Sequence, residues 1–137
     1  MKGYLLSDQP FKPGEAVFIE CVSEESPFMV IFEDDTDTGY FYALEVTDPE
    51  KGEHRILDAM HIYNVEETTD QEKPWNLKII WSKDWLRCAL VINGHCQAVF
   101  DFENQGGYNL NEFPPPNEFW TKGERKLTNE MIAGFFK

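Results

Sequence analysis

Apolar and polar positions alternate with a period near two over the first hundred or so residues, in short runs broken by turn-forming clusters. Residues 16–21 (AVFIEC), 28–33 (FMVIFE) and 39–46 (GYFYALEV) read as three successive strands. Tyr40, Tyr42, Leu44 and Val46 share one face of the third. The turns between them carry Ser, Pro, Asp, Thr and Gly. Residues 55–65 (RILDAMHIYNV) read as a strand on their β-branched and aromatic content, although LDAM would also suit a helical turn. A polar linker over residues 66–73 leads to a strand at 75–81 (WNLKIIW) and a pair at 86–92 and 95–102. Connections this short join antiparallel neighbours, because parallel crossovers need about a dozen residues or more. The pattern predicts a β-dominated (α+β) fold of about seven mostly antiparallel strands, as a sandwich or a strongly curved sheet.

Asn93-Gly94 between two apolar runs is a strong signal for a two-residue hairpin. It predicts pairs Ile92/His95, Val91/Cys96, Leu90/Gln97 and Cys88/Val99. Cys96 and Cys88 then lie on opposite faces and do not bond. Three cysteines at irregular spacing make no disulfide framework. Cys21, Cys88 and Cys96 are therefore expected as reduced, structural thiols.

The two ends change character. Residues 1–14, with Pro10, Pro13 and Gly14, read as an irregular lead-in. The β core covers residues 15–103, and a Pro/Gly-rich connection runs over 104–120, where FPPP at 113–116 cannot continue a sheet. Thr121 and Glu124 have the spacing of a capping box. Leu127, Met131 and Phe135 recur at four-residue steps, with Ile132 and Phe136 beside them. One short C-terminal helix within 121–136 is expected, covering a sheet face or docking on a second copy. The 137 residues form a single domain, large enough to fold without metal or disulfide.

Charge sharpens the picture. The net charge is -13. Residues 1–74 hold 18 acidic and 5 basic side chains, and residues 75–137 hold 7 of each. Such a surface repels phosphate, so nucleic acid and anionic membrane are excluded as partners. A basic protein is attracted. With no signal-like or membrane-length apolar run, a cytoplasmic location is expected.

Candidate chemistry is sparse. Glu33, Asp34, Asp35 and Asp37 form the most acidic segment. The Ca²⁺-loop pattern fails there, because Gly39 stands where the third acid belongs and Val46 where the closing Glu belongs. His54 and His61 have opposite strand parity, as do Asp58 and His61. Asp101 and Glu103 share parity but alternate with Phe100 and Phe102, as on any half-exposed strand. No phosphate-binding loop, zinc-protease helix or paired-cysteine motif occurs. No metal, cofactor or catalytic residue is assigned. The exposed candidates for partner contact are Glu33, Asp34, Asp35, Asp37, Tyr40, Tyr42, Glu66 and Glu67.

Three segments carry a resemblance. They are Glu33-Asp34-Asp35 running on to TGYFYA at 38–43, ILDA at 56–59 with HIYNV at 61–65, and ING at 92–94 with AVFDF at 98–102. IWS at 80–82 fits between them. Together they resemble a family of small bacterial proteins of unknown function, over about residues 15 to 115. The resemblance implies a bacterial cytosolic origin and carries no activity to transfer.

These readings point to an acidic, non-enzymatic binding protein that neutralises a basic protein partner. The concrete version is an immunity protein that inhibits a cognate toxin. The alternatives are a small-molecule-binding β module or an enzyme with a pocket in the scaffold, and a homodimer formed through the C-terminal segment.

Overall fold

A computed structural model describes residues 1–69 and 72–137, so Asp70 and Gln71 of the linker lie outside the described residues. Among these described residues, nine strands form two sheets. They are β1 (Tyr4–Phe11), β2 (Val17–Val22), β3 (Phe28–Asp34), β4 (Thr38–Asp48), β5 (Glu53–Asn64), β6 (Trp75–Trp81), β7 (Arg87–Ile92), β8 (His95–Asp101) and β9 (Gly106–Asn109). A 3₁₀ turn (Val65–Glu67) follows β5, and one helix, α1 (Asn129–Phe135), closes the chain. One sheet has the order β1-β6-β7-β8-β9 and the other β2-β3-β4-β5, and every strand pair is antiparallel. The β-dominated class and the antiparallel, sandwich-like arrangement agree with the sequence.

Alternation explains the core. Ile19 and Cys21 of β2, Val30 and Phe32 of β3, Phe41 and Ala43 of β4 and Met60 of β5 point inward. They meet Leu77, Ile79 and Trp81 of β6, Cys88, Leu90 and Ile92 of β7, and Ala98 and Phe100 of β8. Aromatic rings fill the middle. Phe41 stacks on Phe100 across the two sheets at 5.0 Å between centroids, and Phe28 on Phe102 at 4.6 Å. Offset stacking of this kind adds to the burial of the rings.

Residues 4–11 form a strand where an irregular lead-in is expected. β1 is the edge of its sheet, so Pro10, opposite Asn76, lacks a donor where none is needed. Almost all of β1 is solvent-exposed, so no apolar alternation marks it. β9 likewise falls inside the expected Pro/Gly-rich connection. Gly107 is required there, since a Cβ would lie 2.8 Å from both an Asp58 oxygen and the Phe100 ring.

The Asn93-Gly94 hairpin forms, with both residues at positive φ (51° and 80°). Ile92/His95 and Val91/Cys96 pair as expected. A bulge then shifts the register by one, so Leu90 faces Ala98 and Cys88 faces Phe100. Cys88 still packs in the core between the sheets, while Cys96 packs on the opposite face of the sheet. All three cysteines are free thiols.

The helix begins at Asn129, not at 121. Thr128 is its cap, accepting from the Met131 N–H. Thr121, the expected cap, is buried and donates instead to Asp58. Leu127, Ile132, Phe135 and Phe136 pack onto Ala89 and Val99, the outer face of the five-stranded sheet. Arg87 lies 5.1 Å from the centre of the Phe135 ring. The apolar side of the C-terminal segment thus covers a sheet face of its own chain. No helix of the described residues is long and apolar enough to cross a membrane.

Candidate interaction face

The four-stranded sheet is built from one contiguous meander. The chain's charge asymmetry therefore becomes a spatial one. Residues 15–67 hold fifteen acidic side chains and two basic ones, Lys51 and Arg55. Arg55 is already paired with Glu45 at 2.6 Å.

The inner face of this sheet is core. Among the described residues, its outer face is met only at the β5 edge, by the loop that carries Asn111 and Phe113. The register sets Val22, Met29, Leu44 and Ile56 in one row, Glu20, Ile31, Tyr42 and Ala59 in the next, and Phe18, Glu33, Tyr40 and His61 in the third. Phe18 is 58% exposed, Val22 50% and Ile56 63%. Met29, Ile31 and Leu44 are buried beneath their neighbours on this same face. Eight of these twelve residues are Val, Met, Leu, Ile, Phe or Tyr, and none is Lys or Arg. An antiparallel sheet facing water on one side ordinarily alternates apolar-in with polar-out. Here both sides are apolar.

The predicted contact residues divide. Glu33, Tyr40 and Tyr42 lie on the outer face, with the two Tyr rings 6.0 Å apart. Burial, then the charges of Glu33, Tyr40 and Asp35, push the Tyr42 hydroxyl above its ordinary value. Asp37 is exposed at the tip of the β3–β4 turn. Its carbonyl accepts from the Val65 N–H at 2.8 Å, which brings exposed Glu66 and Glu67 alongside. Asp35 is exposed but folds back, accepting from the Asp37 and Thr38 N–H groups. The Thr38 and Asp37 backbone bonds lower its carboxyl below the usual range.

Asp34 does not belong to this surface. It shares inward parity with Val30 and Phe32 and is buried. It accepts from the Gly14 N–H at 2.8 Å, the Thr36 N–H at 2.8 Å and the Tyr63 hydroxyl at 2.6 Å. Its role is to hold the turn, not to meet a partner.

Sequence reasoning missed Phe18, Glu20, Val22, Ile56, His61 and Phe113. The signal was the two-sided apolarity of FMVIF and YFYAL, which a half-exposed strand does not need. His61 joins the face through contacts distant in sequence. Its ring meets Tyr40 edge-on at 5.5 Å and Phe113 edge-on at 5.8 Å. Its Nε2 lies 2.8 Å from Asn64 Oδ1 and its Nδ1 2.7 Å from Asn111 Nδ2. The Asn111 amide is oriented because its oxygen accepts from the Phe113 N–H and from Asn109. This arrangement matches the Nε2–H tautomer. Asn109 is buried and donates to the His61 and Phe113 carbonyls, tying the 110–113 loop to β5.

The remaining carboxylate candidates are committed elsewhere. Arg87 pairs with Asp84, Asp101 and Glu103 at 2.7, 3.0 and 2.9 Å. Asp58 points inward, away from His61, and meets Arg125. Among the described residues no three His, Cys, Asp or Glu converge as metal ligands.

Residues 11–136 match a family described as an uncharacterised protein conserved in bacteria (DUF2251). An uncharacterised protein of Haemophilus influenzae is 42% identical over 106 residues, which cover 76% of this chain and 63% of that protein. The chain thus aligns with somewhat less than two thirds of that relative's length. No solved structure matches the chain.

Proposed function

For a chain that belongs to this uncharacterised bacterial family, DUF2251, we propose a non-enzymatic role. It binds a basic protein partner on the outer face of β2–β5. The observation that carries this reading is an apolar outer face with no Lys or Arg in its three paired rows, in a segment (residues 15–67) with thirteen more acidic than basic side chains. Large exposed apolar surface with a polar rim is typical of docking sites. On the opposite outer face of the sandwich, α1 and its flanks pack over Ala89 and Val99 of β7 and β8, so the two sides are not equivalent. Acidic charge around the face steers a basic partner and speeds association at low salt.

The specific version is an immunity protein that occupies a basic toxin effector. It fits the bacterial family, the acidic sheet and the rigid scaffold. A ligand-binding role between the sheets is disfavoured by the stacked rings that fill that space.

The test is retention of partner protein from native bacterial lysate by wild type and by a Phe18→Lys/Glu20→Lys double variant. Both positions are exposed on an edge strand, so folding is preserved and is checked by circular dichroism. A basic protein retained by wild type, released by salt and lost by the variant supports the reading. Equal retention by both overturns it.

A further inference from the structure

The loop that brings Phe113 to His61 closes one side of a hollow of about 490 Å³, which adjoins a second hollow of about 440 Å³ at the acidic end of the outer face of β2–β5. The larger is lined by Tyr40, His61, Phe113 and Asn111, with Thr38 and Asn64. Thr38 and Asn64 thus join the aromatic hollow to the one that Asp37 and Glu66 line. Among the described lining residues there is no Lys or Arg. The hollow beside Phe28 and Trp120 differs, because Arg55 and Glu45 line it and already neutralise each other.

We infer that this niche seats the guanidinium of an arginine side chain presented by the basic partner. The inference rests on the docking reading above and names the group that anchors it. A guanidinium is planar and stacks on aromatic faces, as Tyr40 and Phe113 allow. Its forked N–H donors suit carboxylate acceptors, which Asp37 and Glu66 supply at the niche's edge. An ammonium, compact and strongly hydrated, uses the flat walls less well. Two asparagines hold the His61 ring in place between Tyr40 and Phe113, so the walls are set before any ligand arrives.

The experiment needs no partner. N-acetyl-arginine amide is titrated into the full chain and followed by side-chain NMR, beside its neutral isostere N-acetyl-citrulline amide. The expected result is saturable shifts at Tyr40, His61 and Phe113 with the arginine probe and none with citrulline. Phe113→Leu keeps an apolar side chain at an exposed position but removes the ring. It weakens the arginine probe about threefold or more, as does Asp37→Asn. Equal shifts from both probes, or arginine shifts spread over the acidic surface without saturation at these three rings, overturn the inference. So does undiminished binding by Phe113→Leu with an unchanged backbone spectrum. The two readings fail separately. A saturable arginine signal alongside partner retention insensitive to Phe18→Lys/Glu20→Lys supports the niche and overturns the docking face. Lost retention with no arginine signal does the reverse.

Discussion

Arg125 grips Asp58 from 67 positions along the chain, donating to one carboxylate oxygen at 2.8 Å and to the other at 3.1 Å. Both side chains are almost fully buried. Thr121 donates to the same carboxylate at 2.6 Å and accepts from the Gly107 N–H at 2.9 Å. The cluster pins the 120–126 segment across the gap between β5 and β9.

Removing one partner strands the other. Asp58→Ala leaves a buried guanidinium without its counter-charge, and is expected to cost roughly 3–5 kcal/mol of stability. An Asp58→Ala/Arg125→Met double variant is expected to recover much of that loss. Urea unfolding midpoints of the two variants check this; equal losses in both would show that the charge is not what matters.

Tyr63 donates to Asp34, and burial followed by that bond raises its hydroxyl far above the ordinary value near 10. A raised folded-state value means that stability is fully present below pH 10 and falls as pH rises above it. Tyr63→Phe is expected to flatten that alkaline decline and to cost about 1–3 kcal/mol at neutral pH. Denaturant titrations of wild type and variant between pH 8 and 11 measure both. An identical alkaline slope would refute the assignment.

The acid side has the opposite sign. Thr38 and Asp37 backbone bonds lower Asp35. Burial pushes Asp84 up, but bonds from Ser82, Leu86 and Arg87 outweigh it and leave it lowered. Groups lowered on folding stabilise above the ordinary value of 3.8, and that contribution is lost as pH falls through the folded-state values. Asp35→Asn and Asp84→Asn are each expected to lessen the stability lost below pH 4. Thermal unfolding at successive acidic pH values is the check.

All three thiols are pushed upward. Burial dominates at Cys21, at Cys88, which lies in the core, and at Cys96, which reaches about 11. The thiolate is the reactive form. The native protein is therefore expected to react negligibly with a disulfide reagent at pH 8, and to titrate three thiols once unfolded. Rapid labelling of the native state would contradict the burial described.

Val22 and Ile56 stand at opposite ends of one row on the outer face of β2–β5, each half or more exposed. Val22→Lys and Ile56→Lys are expected to change stability by less than about 0.5 kcal/mol. They are also expected to weaken partner association while leaving the arginine-probe titration intact, because both lie at the far end from Tyr40. Calorimetric unfolding and the retention assay report the two effects independently.

The outline of the fold was legible over β2 to β8, which each bury at least one face, and burial writes alternation into the chain; β9, four residues with two glycines, was too short to show it. β1 was not legible either, since an edge strand exposed along most of its length leaves no such record. Thr121 had the spacing of a cap, but spacing cannot show that its hydroxyl is claimed by Asp58. The inward turn of Asp34 was available from its parity with Val30 and Phe32, and was obscured by the acids around it. The outer face was half legible. Tyr40 and Tyr42 marked it, but Phe18, Val22 and Ile56 come from β2 and β5, and only the register aligns them. The meeting of His61 with Phe113 was beyond reach, because a loop anchored by buried Asn109 makes it.

The strand order has a consequence for how the molecule assembles. β2 to β5 pair only with sequence neighbours, whereas β1 pairs with β6, some 70 positions away. Local hairpins close quickly and distant pairings slowly. A chain that emerges N-terminus first can complete the acidic sheet once Asn64 is free, while β1 waits beside it without a partner. Until β6 to β8 arrive, Phe41 lacks the Phe100 ring it stacks on, and the inner face of the sheet has no opposing sheet. The charge on that half of the molecule then serves a second purpose, holding nascent copies apart while their future core is bare.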